Sequence, residues 1–332
     1  MTSIDLPASA ASRHRRSAGD GETVDGLTTP GVASAGGART SVRDVLGAYV
    51  GLTKPRIIEL LLITTVPAMF LAARGVPPLS LVALTMVGGC LAAASANVIN
   101  CVLDRDIDEQ MRRTRRRPLP RHAVRPQAAV VFGVLLGVVA TLWLGFLVNW
   151  TSSLLALTAN AFYVFGYTML LKRRTSQNIV WGGLAGCFPP LIGWTAVTGH
   201  VAWTPLVLFA IVFFWTPPHT WALAMRYRED YAAAQVPMLP VVMSAPRVAV
   251  RIVAYAVVTV AVSLSLAPVA GTGWLYPSVA AVTGAAFIWE AVGLLRRARA
   301  GITRAPLKPT WLFSRSKSYL AVVFFAAAIE PL

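Results

Sequence analysis

Acidic residues are scarce in this chain: 14 Asp and Glu among 332 residues, against 30 Lys and Arg, with only 13% of positions charged. A water-soluble domain carries about a quarter of its residues as Asp, Glu, Lys and Arg, so a soluble globular fold is excluded. Cysteine is nearly absent, with three residues and no C-x-x-C pair. No disulfide framework or zinc site follows, and Cys90, Cys101 and Cys187 read as small packing residues inside apolar runs. Also missing is an apolar signal-peptide core near the amino terminus. Residues 1–45 are rich in Ser, Ala, Gly, Thr and Arg, and they read as a disordered cytoplasmic tail.

Long apolar runs are what the chain has in plenty, with 56% of residues hydrophobic. They recur in lengths of about twenty, enough to cross a hydrocarbon core of about 30 Å as helices. The expected spans are 57–73, 79–99, 128–148, 152–171, 179–197, 206–225, 252–268 and 276–295, with a shorter ninth at 319–329. The fold expected is all-α: a polytopic membrane protein of about nine helices, with a central cavity open toward the cytoplasmic side. Residues 46–332 form this transmembrane domain. Ser41–Arg56 is mildly amphipathic and fits the membrane interface, where Lys54 and Arg56 can snorkel to headgroups.

The net charge of +16 suggests nucleic acid, but its distribution does not. With a cytoplasmic amino terminus, Arg74 alone of the 30 Lys and Arg falls in an outer loop. That is the positive-inside bias, so basicity reports topology and a nucleic-acid partner is not expected. The charged inner loops place function on the cytoplasmic face. Glu59 and Glu290, near helix ends, are expected to pair with Arg56 and Arg297.

"NCVLDRDIDEQMRRTRRRPLP" follows the second span. Asn100, Asp104 and Asp108 stand at i, i+4 and i+8, one stripe if the helix continues, rising about 6 Å per step. Oxygen ligands so arranged suit Mg²⁺, which takes a few carboxylates together with phosphate oxygens and water. Arg112, Arg113 and Arg116 are the best-placed forks for diphosphate oxygens; Arg115, Arg117 and Arg121 fit a role in retaining the loop inside. "YTMLLKRRTSQN" ends the fourth span with Lys172 and Arg173, after Tyr163 and Tyr167 on nearly one face. A Lys beside a Tyr at a helix end is equally a snorkelling anchor, and both readings stand. In "WTPPHTWALAMRYREDY", His219 follows a Pro-Pro break, and Glu229 and Asp230 could hold a second metal or orient an arginine. A lone His is more often structural. Small residues at four-residue spacing, such as Gly89, Ala93, Gly182 and Gly186, read as close helix packing.

An apolar cavity with an acidic and a basic site at its mouth matches an isoprenyl diphosphate. Metal and arginines stabilise the leaving diphosphate, aromatic faces stabilise an allylic cation, and a dry pocket protects it. A transporter would need ionisable groups near the midplane and on both faces, which are lacking here. An assembly factor without turnover is the remaining non-enzyme class.

The pattern N-x-x-x-D-x-x-x-D after the second span resembles the intramembrane (UbiA-type) prenyltransferases. "ANVINCVLDRDIDEQMRRTRRRPLP", "LKRRTSQNIVWGGLAGCFPPLIGW", "WTPPHTWALAMRYREDY" and "VPMLPVV" resemble their haem branch, the protoheme IX farnesyltransferases (haem O synthases), over about residues 50–332. The resemblance implies farnesyl transfer from farnesyl diphosphate to a vinyl group of haem B with addition of water. It implies Mg²⁺–diphosphate held by Asn100, Asp104 and Asp108, with Lys172 and Arg173 near the leaving group. The second acidic motif is reduced to "REDY", and His219 in "PPH" becomes a candidate contact for haem iron or propionate. Also implied are a cell-membrane location and contact with a haem A synthase or terminal oxidase. A quinone-type aromatic prenyltransferase is the alternative within enzymes.

Overall fold

The computed structural model describes residues 41–331, with the backbone alone for residues 56–62. Residues 1–40, most of the segment read as a tail, lie outside the described residues, as does the expected Glu59–Arg56 pair. The helix α1 (Val42–Thr53) takes in positions 42–45 of that segment. Ser41 starts it with a capping box, its hydroxyl accepting from Arg43 N–H while the Asp44 carboxylate accepts from Ser41 N–H.

All regular elements among the described residues are helices. After α1 come α2 (Pro55–Ala73), α3 (Leu79–Leu103), α4 (Arg105–Gln110), α5 (Pro126–Leu147) and α6 (Trp150–Ala161), the last running into a π-helix, Phe162–Leu171. Then α7 (Asn178–Gly182), a 3₁₀ turn Gly183–Cys187 and α8 (Phe188–Thr198) form one interrupted span. The chain continues with α9 (Trp203–Arg226), α10 (Arg228–Ala233), α11 (Leu239–Val242), α12 (Ala245–Ala270), α13 (Leu275–Arg299) and α14 (Pro309–Ile329). Eight described helical segments are long and apolar enough to cross a membrane, and α2, with its shorter apolar part Ile63–Ala73, lies at the first expected span.

The ninth span is longer than expected, because α14 starts at Pro309. "FSRSKS" depresses local hydropathy, yet Ser314, Arg315, Lys317 and Ser318 are exposed while Leu312, Ser316 and Tyr319 are buried. The polar residues thus occupy one face of an amphipathic turn.

Two groups of helices, α3 with α5 and α6, and α9 with α12, α13 and α14, are joined by α2 and α8. Gly88 lets α3 and α5 approach closely, since a Cβ there would come within 2.5 Å of the Leu144 side chain. Buried polar groups tie the second group: Tyr276 and Tyr319 hydroxyls donate to Ser263 O at 2.9 Å and Ser263 Oγ at 2.7 Å. Glu290 pairs with Arg297 at 2.7 Å. The three cysteines are free.

Candidate active site

Four segments meet at one end of the bundle: the α1–α2 junction, the end of α3 with α4, the loop 111–125, and the end of the π-helix. α3 stops at Leu103, and Asp104 (φ −98°, ψ 7°) separates it from α4. The hydrogen-bond ladder nevertheless runs on, with Asp104 N–H donating to Asn100 O at 2.9 Å and Asp108 N–H to Asp104 O at 2.8 Å. Asn100, Asp104 and Asp108 therefore stay on one ridge, with exposures of 3%, 1% and 3%.

Carboxylates buried this deeply must be paired. Lys172 Nζ donates to Asp104 Oδ2 at 2.5 Å, and Arg117 Nη1 donates to both oxygens of Asp108 at 2.9 and 2.7 Å. Asn100 bridges the network: its Nδ2 donates to Asp104 Oδ2 at 2.7 Å and Thr168 Oγ1 at 3.0 Å, while its Oδ1 accepts from Lys54 Nζ at 2.6 Å. Burial holds the Lys54 ammonium below its ordinary pKa. Three cations, Lys54, Lys172 and Arg117, thus face two carboxylates. Further out, Arg173 grips Asp106 with two bonds of 2.7 Å, which hold that carboxyl below its usual value and raise the guanidinium in turn.

The π-helix sets this geometry. Lys172 N–H reaches back five residues to Tyr167 O at 2.9 Å, and the Thr168 hydroxyl donates to Tyr163 O at 2.9 Å. Because that hydroxyl spends its proton on Tyr163, it can only accept from Asn100, which fixes the Asn100 amide. Such wide turns are rare and concentrate at functional sites. The Tyr163 and Tyr167 rings lie 5.6 Å apart, and Tyr167 packs where a Cβ on Gly182 would otherwise sit.

Asp104 Oδ1 is buried with no hydrogen-bond partner. A carboxylate oxygen left so is suited to a cation, and Mg²⁺ fits a site of one or two carboxylates completed by phosphate oxygens. Among the described residues no group of three or more His, Cys, Asp or Glu gathers to hold a metal alone.

Next to the ridge lies a cavity of about 180 Å³, lined by Asn97, Tyr163, Gly186 and Phe188 among others. Gly89, Ala93 and Gly186 line this space; a Cβ on Gly186 would meet nothing within 4 Å, so that glycine does not serve a close helix approach.

The other expected residues are placed elsewhere. Arg112, largely exposed, lies 3.4 Å from Glu229 and 3.5 Å from Asp230, joining the two acidic loops. Arg113 stacks over Tyr227 at 5.1 Å and reaches the Tyr231 hydroxyl at 3.4 Å. Arg116 is exposed. His219 is sandwiched between Trp215 and Phe313, at 4.1 and 4.3 Å, with Nδ1 2.7 Å from Ser316 Oγ. Sequence reasoning read Lys54 as a headgroup anchor and Arg117 as a loop-retaining charge, and it passed over Thr168; the structure draws all three into the network. Pro55 at the first position of α2 was the available signal for Lys54, because it fixes the lysine as that helix's cap.

Residues 61–312 match the UbiA prenyltransferase family. The chain belongs to that family. Among its relatives, a protoheme IX farnesyltransferase of Cutibacterium acnes is 66% identical over 90% of this chain and 88% of the relative. One from Nocardioides sp. is 63% identical over 89% and 94%. The family fold is also seen in solved structures. A digeranylgeranylglyceryl phosphate synthase superposes with TM-score 0.71 at 17% identity, over 87% of this chain and 99% of that one. A UbiA homologue from Archaeoglobus fulgidus bound to DMAPP and Mg²⁺ gives 0.57 at 15% identity, over 85% and 99%.

Proposed function

We propose that this protein transfers farnesyl from farnesyl diphosphate to a vinyl group of haem B, with addition of water, giving haem O and diphosphate. The observation that carries the reading is the Asn100–Asp104–Asp108 ridge, with an orphaned acceptor on Asp104 and three cations around it. Relatives 55–66% identical over most of the chain carry the protoheme IX farnesyltransferase name, which favours haem over a quinone-type ring.

Asp104 and Asp108, with Asn100, would hold Mg²⁺, and the ion would supply charge neutralisation on the diphosphate. Lys172 and Arg117, held by the carboxylates of Asp104 and Asp108, would supply donors to phosphate oxygens, and Lys54 and Arg173 add positive charge at the rim. As the C1–O bond breaks, these donors stabilise the departing diphosphate. Tyr163 and Tyr167 present π-faces to the allylic cation, and the small-residue cavity takes the chain and excludes water. A vinyl carbon bonds to farnesyl C1, water adds to the neighbouring carbon, and one proton is released. His219 faces the acceptor side of the proposal: Ser316 engages Nδ1, so Nε2 is the nitrogen left for haem iron.

The membrane is the cell membrane, with the amino terminus and the site on the cytoplasmic side; the positive-inside bias supports this orientation. Contact with a haem A synthase or terminal oxidase assembly fits a product consumed there. The experiment is to incubate membranes with haem B, farnesyl diphosphate and Mg²⁺, and to identify the porphyrin by mass. Farnesylation of a hydroxybenzoate-like ring in place of haem would overturn the reading.

A further inference from the structure

We propose that the arginine-lined cleft between the α9–α10 junction and the loop from α13 to α14 binds the two propionate carboxylates of the porphyrin acceptor. The inference rests on the haem reading above and adds where the acceptor docks.

The cleft has a volume of about 660 Å³, and its walls include Arg226, Arg228 and Arg304 beside Met225, Leu307 and Pro309. Leu307 and Pro309 are buried, so the floor is apolar while the rim is cationic. That polarity suits a flat macrocycle edge carrying carboxylates, which guanidinium forks bind bidentately.

Arg228 and Arg304 have no carboxylate partner among the described residues, which leaves their guanidinium groups free for an anion. Backbone geometry sets Arg304 apart from ordinary loop charges: it holds φ 57° and ψ −139°, a conformation that favours glycine. A side chain kept where glycine would be less strained points to a use for it.

The cleft opens along the α9–α14 seam that carries His219. Arg226 is seven residues beyond His219, which places it on nearly the same face of α9, about 10 Å further along the axis. Across the seam, Phe313 stacks on His219 and lies one turn from Pro309 in the cleft wall. Glu229, also in the wall, pairs with Arg112 from the loop that follows the acidic ridge. The cleft therefore shares the α9–α14 seam with the histidine, and its wall is tied through Glu229 and Arg112 to the loop that follows the ridge.

The test titrates the full-length protein, in nanodiscs of zwitterionic lipid, with ferric haem B and with its dimethyl ester, following the Soret band. Wild type should bind the free acid about tenfold or more tighter than the ester, as two charge-assisted pairs would give. Arg304→Gly removes the guanidinium while relieving the backbone; combined with Arg228→Gln it should erase that preference and leave ester binding and the KM for farnesyl diphosphate unchanged. A double variant that keeps the wild-type preference overturns the proposal. So does one whose haem titration is unchanged but whose stabilisation by phosphatidylglycerol is lost, which would make the cleft a lipid headgroup site. Absence of any farnesylated porphyrin from wild type would instead sink the functional reading.

Discussion

Lys172 Nζ lies 2.5 Å from Asp104 Oδ2, joining residues 68 apart in sequence across two different helices. Neither charge is left alone in the apolar end of the bundle, yet the other oxygen of Asp104 has no partner. The pair is half-satisfied, which leaves one acceptor for a cation.

Asp104→Asn keeps the shape and a hydrogen-bond acceptor while removing the charge. Turnover should fall about 10²–10³-fold, in the range seen when a transition-state electrostatic contact is lost. Haem O formation at matched protein level measures it. Unchanged product would remove Asp104 from the site.

Magnesium should bind only together with the diphosphate, since no cluster of three acidic or imidazole ligands is present among the described residues. Mg²⁺ alone should leave the melting temperature unchanged, whereas Mg²⁺ with a non-hydrolysable farnesyl diphosphate analogue should raise it, by about 2.7 kcal/mol of stability at a ligand concentration of 100 Kd. EDTA should abolish turnover. A stabilisation by Mg²⁺ alone would contradict the shared-ligand site.

Much of this was legible in the sequence. The ridge was readable because spacing of four survives the interruption at Asp104, where the hydrogen-bond ladder continues. Lys54 was not, because a lysine at a span end has the same pattern whether it anchors to headgroups or turns inward. Arg117 was hidden among near-identical neighbours, and the turns of residues 111–125 have no period to order them. The π-helix left no hydropathy trace, since widening a turn changes the facing of side chains and not their composition.

Thr168→Val preserves volume but removes the acceptor for Asn100 and the donor to Tyr163 O. Thr168 is buried, so the loss should cost about 1–3 kcal/mol and lower turnover by freeing the Asn100 amide. Thr168→Ser, which retains the hydroxyl, should restore both. Thermal melts and turnover of the two variants decide the matter.

Acid should act on the Asp106–Arg173 pair late. The folded-state carboxyl is held below its ordinary value of 3.8, first by the Arg173 hydrogen bonds. Its contribution is therefore complete above that value and disappears as pH falls through the lowered one. Asp106→Asn should lower the melting temperature slightly at neutral pH, because both partners are about half exposed, and the difference should vanish in strong acid. A gap that widened below pH 4 would reverse the assignment.

His219→Ala should weaken haem B binding and turnover while leaving the KM for farnesyl diphosphate unchanged. Loss of the stacking between Trp215 and Phe313 also costs stability, so His219→Gln serves as the size-matched control. Equal haem titrations for wild type and both variants would remove His219 from the acceptor contact.

The ten-residue π-helix carries a further cost. Wide turns are weaker than the regular helix they interrupt, and here one ends at the lysine that grips Asp104. Variants selected for heat resistance alone should drift toward regularising this segment, and the hardiest of them should be poor catalysts.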